Sequence, residues 1–282
     1  VGKTYDACQA HALRLAEEEG LAFIHPFDDP YTICGQGTIG VEVLRQCPDL
    51  ANLHAIFVPV GGGGLLAGIA AFVKQVAPEV LVFGVEPEDS NCLAVALDRG
   101  HRVTLDKIDG FADGVAVKTV GAETFRVARE FCDGVIQVGN DEICAAIKDV
   151  FDDTRAVCEP AGALSVAGIK KYIEQEGCEN QNLVAILSGA NVNFDRLRYI
   201  SEVAEIGEGR EVILAVTIPE QPGSFQKFCS LIGKRPITEF NYRYADDDRA
   251  QIYCGVKVSA DVGARDQLLE ELRSENYPVL DI

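Results

Sequence analysis

Four consecutive glycines, Gly61 to Gly64, separate a strand-like run from a helix-like run in "HAIFVPVGGGGLLAGIAAFVKQ". Because glycine has no Cβ, such a turn can aim several backbone N–H groups and the positive end of the next helix at one point. A point of this kind binds phosphate. No Gly-Lys-Ser/Thr follows, so the turn is not a Walker loop. The alternative is a tight strand-to-helix turn that packs closely and holds no ligand.

The same turn also satisfies a dinucleotide fingerprint. Gly62, Gly64 and Ala67 supply the spaced small residues, and Glu86 ends the next strand-like run, where an acid that binds ribose would stand. A nicotinamide-dependent oxidoreductase is therefore one alternative function for this chain.

A second candidate contact follows the last strand-like run, in "LVAILSGANVNF". Ser188 and Gly189 come just past the carboxyl edge of the predicted sheet, and open parallel sheets bind ligands along that edge. Taken alone, a Ser-Gly pair after a strand is typical of a helix cap. Together with the glycine turn, the pair indicates a ligand contact.

The histidines and cysteines indicate no other chemistry. His11, His25, His54 and His101 share no motif with an Asp or Ser partner, so a catalytic triad is not supported. The ten cysteines show no C-x-x-C spacing and no Cys/His cluster, so we predict no metal site there. Scattered thiols favour a reducing compartment.

Short apolar runs alternate with helical patterns over most of the chain. The strand-like runs are "HAIFVPV", "VLVFGVE", "GVIQV" and "NLVAIL", and the helices are expected at about 6–19, 64–77, 121–132, 141–156 and 161–176. Continuous apolar strands separated by helices predict an α/β fold with a parallel sheet covered on both faces.

The pattern changes near residue 208. From there the sequence reads strand, helix, strand, strand, helix, strand, which is the order of an α+β ferredoxin-like sandwich. We expect the charged, glycine-bearing "EIGEGRE" to be the linker that precedes it.

Composition limits the functions available to these domains. The 282 residues carry 44 Asp plus Glu against 25 Lys plus Arg, a net charge of −19. This charge repels phosphate backbones and anionic membrane surfaces, so a nucleic-acid or membrane role is not expected. The sequence starts at Val1 and contains no methionine, so we expect it to be a piece that lacks its natural start.

Five motifs in fixed order identify a family resemblance. These are "HPFDDPYTICGQGTIGVEVL", "FVPVGGGGLLAGIA", "GFADGVAVK", "EPAGALSVAG" and "LSGANVNF". They closely resemble the biosynthetic threonine ammonia-lyases (threonine dehydratases), pyridoxal-phosphate enzymes of the tryptophan-synthase β-like fold (fold type II). The later "EVILAVTIPEQPGSFQKFC" and "TEFNYRY" resemble the family's ACT-like regulatory domain.

The resemblance implies pyridoxal 5′-phosphate as the cofactor and assigns residues to it. The backbone of Gly61, Gly62, Gly63, Gly64 and Leu65 would hold the phosphate, Ser188 would contact the pyridine nitrogen, and Gly114 and Glu159 would lie beside the cofactor. For Glu159 the alternative is a carboxylate at the N-terminus of a helix led by Pro160.

The resemblance also implies a domain plan and a missing residue. Residues 1–35 would end the small subdomain, residues 36–207 would form the large subdomain, and residues 208–282 would form the regulatory domain. The family's Schiff-base lysine lies in Ser-Phe-Lys-x-Arg-Gly, which does not occur in these 282 residues. We therefore expect the lysine to lie before Val1 and this piece alone to be inactive.

The implied activity is elimination from L-threonine, or L-serine, to give a keto acid and ammonia. With threonine the product is 2-oxobutanoate, the first step of isoleucine synthesis, and isoleucine or valine would regulate it. We expect the effector at Pro222, Gly223, Ser224 and Phe225, where a strand turns into a helix. The alternative there is a plain helix start capped by Ser224.

The remaining expectations concern assembly, location and metal. The resemblance implies a homotetramer in the cytoplasm or the plastid stroma. Some relatives place a cation near the acid that matches Glu86 and a second acid, but this chain has Cys92 at the second position, so we predict no metal. A non-catalytic amino-acid sensor remains a further alternative to the enzyme.

Overall fold

A computed structural model describes residues 1, 5–47, 49–208, 210–246, 249–259 and 263–281. The chain forms two compact units, Val1–Arg196 and Leu197–Ile282, and each is described separately. The finer divisions expected after residues 35 and 207 stay predictions. No helix among the described residues is long and apolar enough to cross a bilayer.

A four-stranded sheet lies at the centre of the first unit. Its strands are β1 (Leu53–Pro59), β2 (Leu81–Pro87), β3 (Gly134–Val138) and β4 (Asn182–Ala185), in the order β3-β2-β1-β4. Every neighbouring pair is parallel. The four predicted strands and their parallel pairing are thus confirmed.

The described residues of the first unit form seven α-helices. They are α1 (Tyr5–Glu19), α2 (Pro30–Gln46), α3 (Gly64–Val76), α4 (Cys92–Arg99), α5 (Ala122–Phe131), α6 (Asn140–Thr154) and α7 (Pro160–Glu176). Short 3₁₀ turns occur at Leu50–Asn52, Glu88–Ser90 and Asp113–Val115. The five expected helices are confirmed, whereas α2 and α4 were not predicted.

The core of the first unit explains why its strands read as continuous apolar runs. Ile56, Phe57 and Val58 in β1 are all fully buried, although successive side chains of a strand point to opposite faces of the sheet. Both faces of the sheet are therefore covered at β1. Apolar side chains of α3, α4 and α5 pack with those of β1 and β2 in one core cluster. Burial on both faces removes the polar alternation that a half-exposed strand would show.

Helices α2 and α3 meet at glycines. A Cβ at Gly68 would lie 2.3 Å from Ile33 O and 2.6 Å from Gly37 N, so the two backbones touch there. This contact fixes α3, and with it the position at which α3 begins.

The second unit contains helices α8 (Arg196–Gly207), α9 (Ser224–Ile232) and α10 (Ala264–Ser274). Its strands are β5 (Glu211–Pro219), β6 (Ile237–Asp246), β7 (Arg249–Lys257) and β8 (Val279–Asp281). The strands pair antiparallel in the order β6-β7-β5-β8. This order and the β-α-β-β-α-β succession confirm the ferredoxin-like arrangement.

The expected linker "EIGEGRE" is mostly not a linker. Its first three residues complete α8, and its last residue opens β5. Helix α8 forms because Ile200 and Ala204 are buried. Glu205 also pairs with Arg210 at 3.0 Å and with Lys257 at 3.7 Å. The chain between the two elements is therefore short, and residue 209 lies outside the described residues.

Candidate functional site

A cavity of about 350 Å³ lies where strands β1 and β4 end. All the residues that the sequence assigns to a cofactor line it: Gly61, Gly62, Gly63, Gly64, Leu65, Gly114, Glu159 and Ser188. Segments separated by more than a hundred residues therefore meet at the carboxyl edge of the sheet, where open parallel sheets bind ligands.

The glycine turn needs its glycines for three physical reasons. Gly63 has φ +91°, a conformation that side chains rarely adopt. A Cβ at Gly62 would lie 2.2 Å from Phe27 Cγ, and a Cβ at Gly61 would lie 2.9 Å from Val115 Cα. Close packing thus accounts for part of the motif, as the ligand-free alternative expected.

Packing does not account for the backbone donors of the turn. The N–H groups from Gly61 to Leu65 donate to no acceptor within the described part of the chain. They include the first N–H groups of α3, where the partial positive charge of the helix is concentrated. Unpaired donors beside a cavity are the means by which a helix N-terminus binds an anion.

Ser188 follows β4 and is exposed to the cavity. Its hydroxyl donates to Ala161 O across 3.5 Å, a weak bond that leaves the oxygen free for a ligand. The helix-cap alternative for Ser188 is wrong, since the next helix does not begin until Arg196.

Glu159 occupies the N-cap position of α7, but its side chain makes no capping hydrogen bond. The carboxylate instead faces the cavity: a Cβ at Gly189 would lie 2.1 Å from Glu159 Oε1, and a Cβ at Gly114 would lie 3.7 Å from it. The backbone N–H of Glu159 donates to Gly189 O at 3.2 Å, which ties the Ser188 loop to α7.

Glu86 lies outside this cavity and is fully buried. Its carboxylate accepts from Leu93 N at 2.9 Å and from Ala94 N at 2.8 Å, and Cys92 Sγ lies 3.8 Å from Oε1. Burial raises the Glu86 pKa to about 7 even though these hydrogen bonds lower it. Burial also raises the pKa of the Cys92 thiol.

These contacts do not support the dinucleotide alternative, because both Glu86 oxygens already accept from α4 and the side chain is fully buried. Among the described residues, no three His, Cys, Asp or Glu side chains stand close enough to hold a metal ion. The expectation of no metal remains a prediction.

Several residues that support the cavity were not predicted from the sequence. Phe27 packs against the glycine turn, while Asp28 and Thr124 bond to the backbone around it. Asp28 stands in the quoted "HPFDD" motif, but its partners are 94 to 96 residues away. An acid just before a helix normally signals a local cap, so no local pattern could have revealed this contact.

The expected effector residues lie at the start of α9. Gly223, with φ +95°, is the N-cap residue, and Ser224 is the first helical residue, so Ser224 is not the cap that the alternative required. The Phe225 ring packs against Phe240 and Tyr242 at centroid distances of 5.5 and 5.9 Å. These positions do not line the cavity of about 830 Å³ on the open face of the same sheet.

The first cavity fits pyridoxal phosphate. The free N–H groups of the glycine turn suit a phosphate dianion, and the neutral hydroxyl of Ser188 suits a pyridine nitrogen. The backbone of the glycine turn can approach a ligand closely because its glycines carry no side chains.

Comparisons with known proteins agree with this chemistry. Residues 1–189 match the family described as "Pyridoxal-phosphate dependent enzyme", and residues 202–282 match "C-terminal regulatory domain of Threonine dehydratase". The chain is similar to a biosynthetic L-threonine dehydratase of Burkholderia multivorans, at 59% identity over 93% of this chain and 52% of that protein. It is 51% identical to the Escherichia coli protein of the same description, over 100% of this chain and 54% of that protein.

Solved structures show the same likeness. A processed threonine deaminase isoform 2 from Solanum lycopersicum superposes with a TM-score of 0.70 at 50% identity, covering 72% of this chain and 59% of that one. A threonine deaminase whose source is given as T.th. has a TM-score of 0.60 at 42% identity, covering 64% of this chain and 66% of that one.

The chain spans about half the length of the dehydratases it matches in sequence. Its first 189 residues, which make up most of it, fit one family along their whole length. The chain therefore belongs to the family of pyridoxal-phosphate dependent enzymes.

Proposed function

We propose that the protein containing this chain is a threonine ammonia-lyase, which converts L-threonine to 2-oxobutanoate and ammonia. One observation carries the proposal: the unpaired N–H groups of Gly61–Leu65 and the Ser188 hydroxyl face the same cavity. The dehydratase relatives and the match of residues 202–282 support the choice of substrate.

In this proposal the glycine turn binds the cofactor phosphate and orients the cofactor. Its N–H groups hold the cofactor phosphate without a lysine, since α3 directs its partial positive charge at the same point. When bound, pyridoxal phosphate supplies an electron-withdrawing ring that stabilises negative charge at the substrate Cα.

Ser188 favours elimination by contacting the ring nitrogen of the cofactor with an uncharged group. A hydroxyl donates to the ring nitrogen but, unlike a carboxylate, cannot keep it protonated, because it carries no charge to pair with a pyridinium. The weaker electron withdrawal leaves electrons available to expel the β-hydroxyl of the substrate. The Glu159 backbone holds the Ser188 loop in place through Gly189 O.

The second unit is the regulatory part of the proposal. Isoleucine, or valine, binds at residues 222–225, where N–H groups at the start of α9 meet its carboxylate; the N–H of Ser224 is not among them, since it donates to Gln221 O at 3.1 Å. The family match over residues 202–282 supports this role. L-Serine serves as a second substrate, and the whole protein assembles as a homotetramer in the cytoplasm or the plastid stroma.

The activity is tested on the full-length protein supplied with pyridoxal phosphate and L-threonine. Equal amounts of 2-oxobutanoate and ammonia should form, with D-threonine and cofactor-depleted protein as controls. If neither product forms although the cofactor is bound, the proposed reaction is wrong.

A further inference from the structure

The carbonyl of Gly62 is held by helix α5. Its oxygen accepts from Thr124 Oγ1 at 2.7 Å and from Gly121 N at 3.2 Å. Thr124 and Gly121 do not line the cavity, whereas Gly62 and Gly63 do. The two hydrogen bonds therefore grip the turn from the side opposite the cavity.

This grip sets the direction of the next N–H group. The peptide between Gly62 and Gly63 is planar and trans, so the Gly62 C=O and the Gly63 N–H point in opposite directions. Because the carbonyl points at α5, the Gly63 N–H points away from α5 and toward the cavity.

Thr124 itself is firmly fixed. Its side chain is fully buried, and a buried hydroxyl needs a hydrogen-bond partner, which the Gly62 carbonyl provides. The carboxylate of Asp28 accepts from the first N–H groups of α5, at 2.8 Å from Ala122 N, 2.8 Å from Glu123 N and 3.3 Å from Thr124 N. Asp28 thus acts as a cap supplied from a distant segment, since Gly121 has no side chain to cap α5.

The backbone at Gly63 packs tightly against Thr124 and Val120. A Cβ at Gly63 would lie 3.0 Å from Thr124 Oγ1 and 3.2 Å from Val120 Cγ2. The Gly62–Gly63 peptide therefore has little room to rotate while Thr124 keeps its position.

We propose that Thr124 is a positioning residue for the cofactor phosphate, acting through the Gly62 carbonyl to aim the Gly63 N–H at a phosphate oxygen. The inference rests on the proposed function, in which the glycine turn holds that phosphate. The role would be specific to the phosphate and would not extend to the cofactor ring.

The test compares pyridoxal phosphate with pyridoxal, which lacks the phosphate, in binding titrations of the full-length protein. Thr124→Val keeps the shape of the side chain and removes the hydroxyl. It should weaken binding of pyridoxal phosphate by about tenfold, as expected for one lost hydrogen bond to a held peptide. Pyridoxal binding should change by less than about twofold, and the ³¹P resonance of the bound phosphate should shift.

Two further variants keep the result interpretable. Thr124→Ser retains the hydroxyl and should restore phosphate-specific binding. Ser90→Ala removes another buried hydroxyl, which donates to Asp109 O at 3.0 Å away from the glycine turn, and it should leave the ratio of the two affinities unchanged.

Equal weakening of both ligands in Thr124→Val, or no weakening of either, would overturn the positioning role while leaving the glycine turn as the phosphate site. If the parent protein bound pyridoxal as tightly as pyridoxal phosphate, the phosphate site itself would be wrong, and the inference would fall with it.

Discussion

Ser188 presents a hydroxyl at the cavity edge where a carboxylate would have stabilised a positively charged ring nitrogen. Ser188→Asp in the full-length protein should retain cofactor, because the phosphate contacts are untouched. It should raise transamination severalfold relative to elimination, since a protonated ring withdraws electrons more strongly. Product analysis with L-threonine measures the ratio, and Ser188→Thr, which keeps a hydroxyl, is the control. An unchanged ratio in Ser188→Asp would count against this role.

Glu86 makes stability depend on pH. Its folded pKa of about 7 lies above the ordinary value of 4.5, so the folded state binds this proton more tightly than the unfolded state. The stabilisation is complete below pH 4.5 and is lost as pH rises through about 7, a loss on the order of 3 kcal/mol.

Glu86→Gln should remove this dependence. The melting temperature of the variant, relative to the parent, should rise as pH increases from about 5 to about 8. Glu88→Gln is the control, since the Glu88 side chain is 57% exposed. Parallel pH profiles for Glu86→Gln and the parent would contradict the raised pKa of the buried Glu86 carboxylate.

The residues that touch the cavity were largely predictable, and those that hold them were not. The glycine turn, Ser188 and Glu159 each stand in a short continuous motif, and the residue types in that motif indicate a ligand contact. Thr124 binds a carbonyl 62 residues away, and Asp28 caps a helix 94 residues away. Only the folded chain brings such partners together.

At the scale of elements, the contact between α2 and α3 positions the glycine turn. Gly68→Ala would drive a methyl group into Ile33 O and Gly37 N and separate the helices. We expect a loss of about 2–3 kcal/mol in stability, together with weaker retention of the cofactor. Thermal unfolding and gel filtration of the holoenzyme measure the two effects.

Gly35→Ala in α2 is the matched control, since a Cβ there meets nothing within 4 Å. It should stabilise the protein by about 0.5–1 kcal/mol, because alanine favours a helix over glycine. Equal melting temperatures for Gly68→Ala and Gly35→Ala would show that the helices do not depend on this close approach.

The strands of the first unit were predicted from the sequence, whereas helices α2 and α4 were not. The strands were predictable because burial on both faces makes them continuous apolar runs. Helix α2 was missed because Gly35, Gly37 and Gly40 interrupt its pattern, although Asp29 caps it by accepting from Tyr31 N and Thr32 N. Helix α4 was missed because it is only eight residues long, and its first N–H groups are capped by Glu86 from the preceding strand while the N-cap residue Asn91 makes no capping hydrogen bond.

At the scale of the whole molecule, the two units predict separable catalysis and regulation. Two distinct sites are what allosteric control requires. A variant of the protein that ends at Arg196, and so lacks α8 together with its partners Arg210 and Lys257, should still consume L-threonine but lose inhibition by isoleucine. Titration of isoleucine against turnover measures this.

A point substitution checks that result without removing a unit. Gly223→Ala places a methyl group in open space but strains the left-handed backbone at the start of α9. It should reduce sensitivity to isoleucine and leave uninhibited turnover unchanged. Isoleucine inhibition that persists in the protein stopped after Arg196 would place the effector site outside the second unit.

A crystal structure of the full-length protein with pyridoxal phosphate tests directly whether the glycine turn holds the cofactor phosphate. We expect phosphate oxygens about 2.7–3.2 Å from the backbone nitrogens of Gly62 and Gly63, with Ser188 Oγ beside the pyridine nitrogen. A phosphate bound away from residues 61–65, with the cofactor ring outside the cavity, would contradict it.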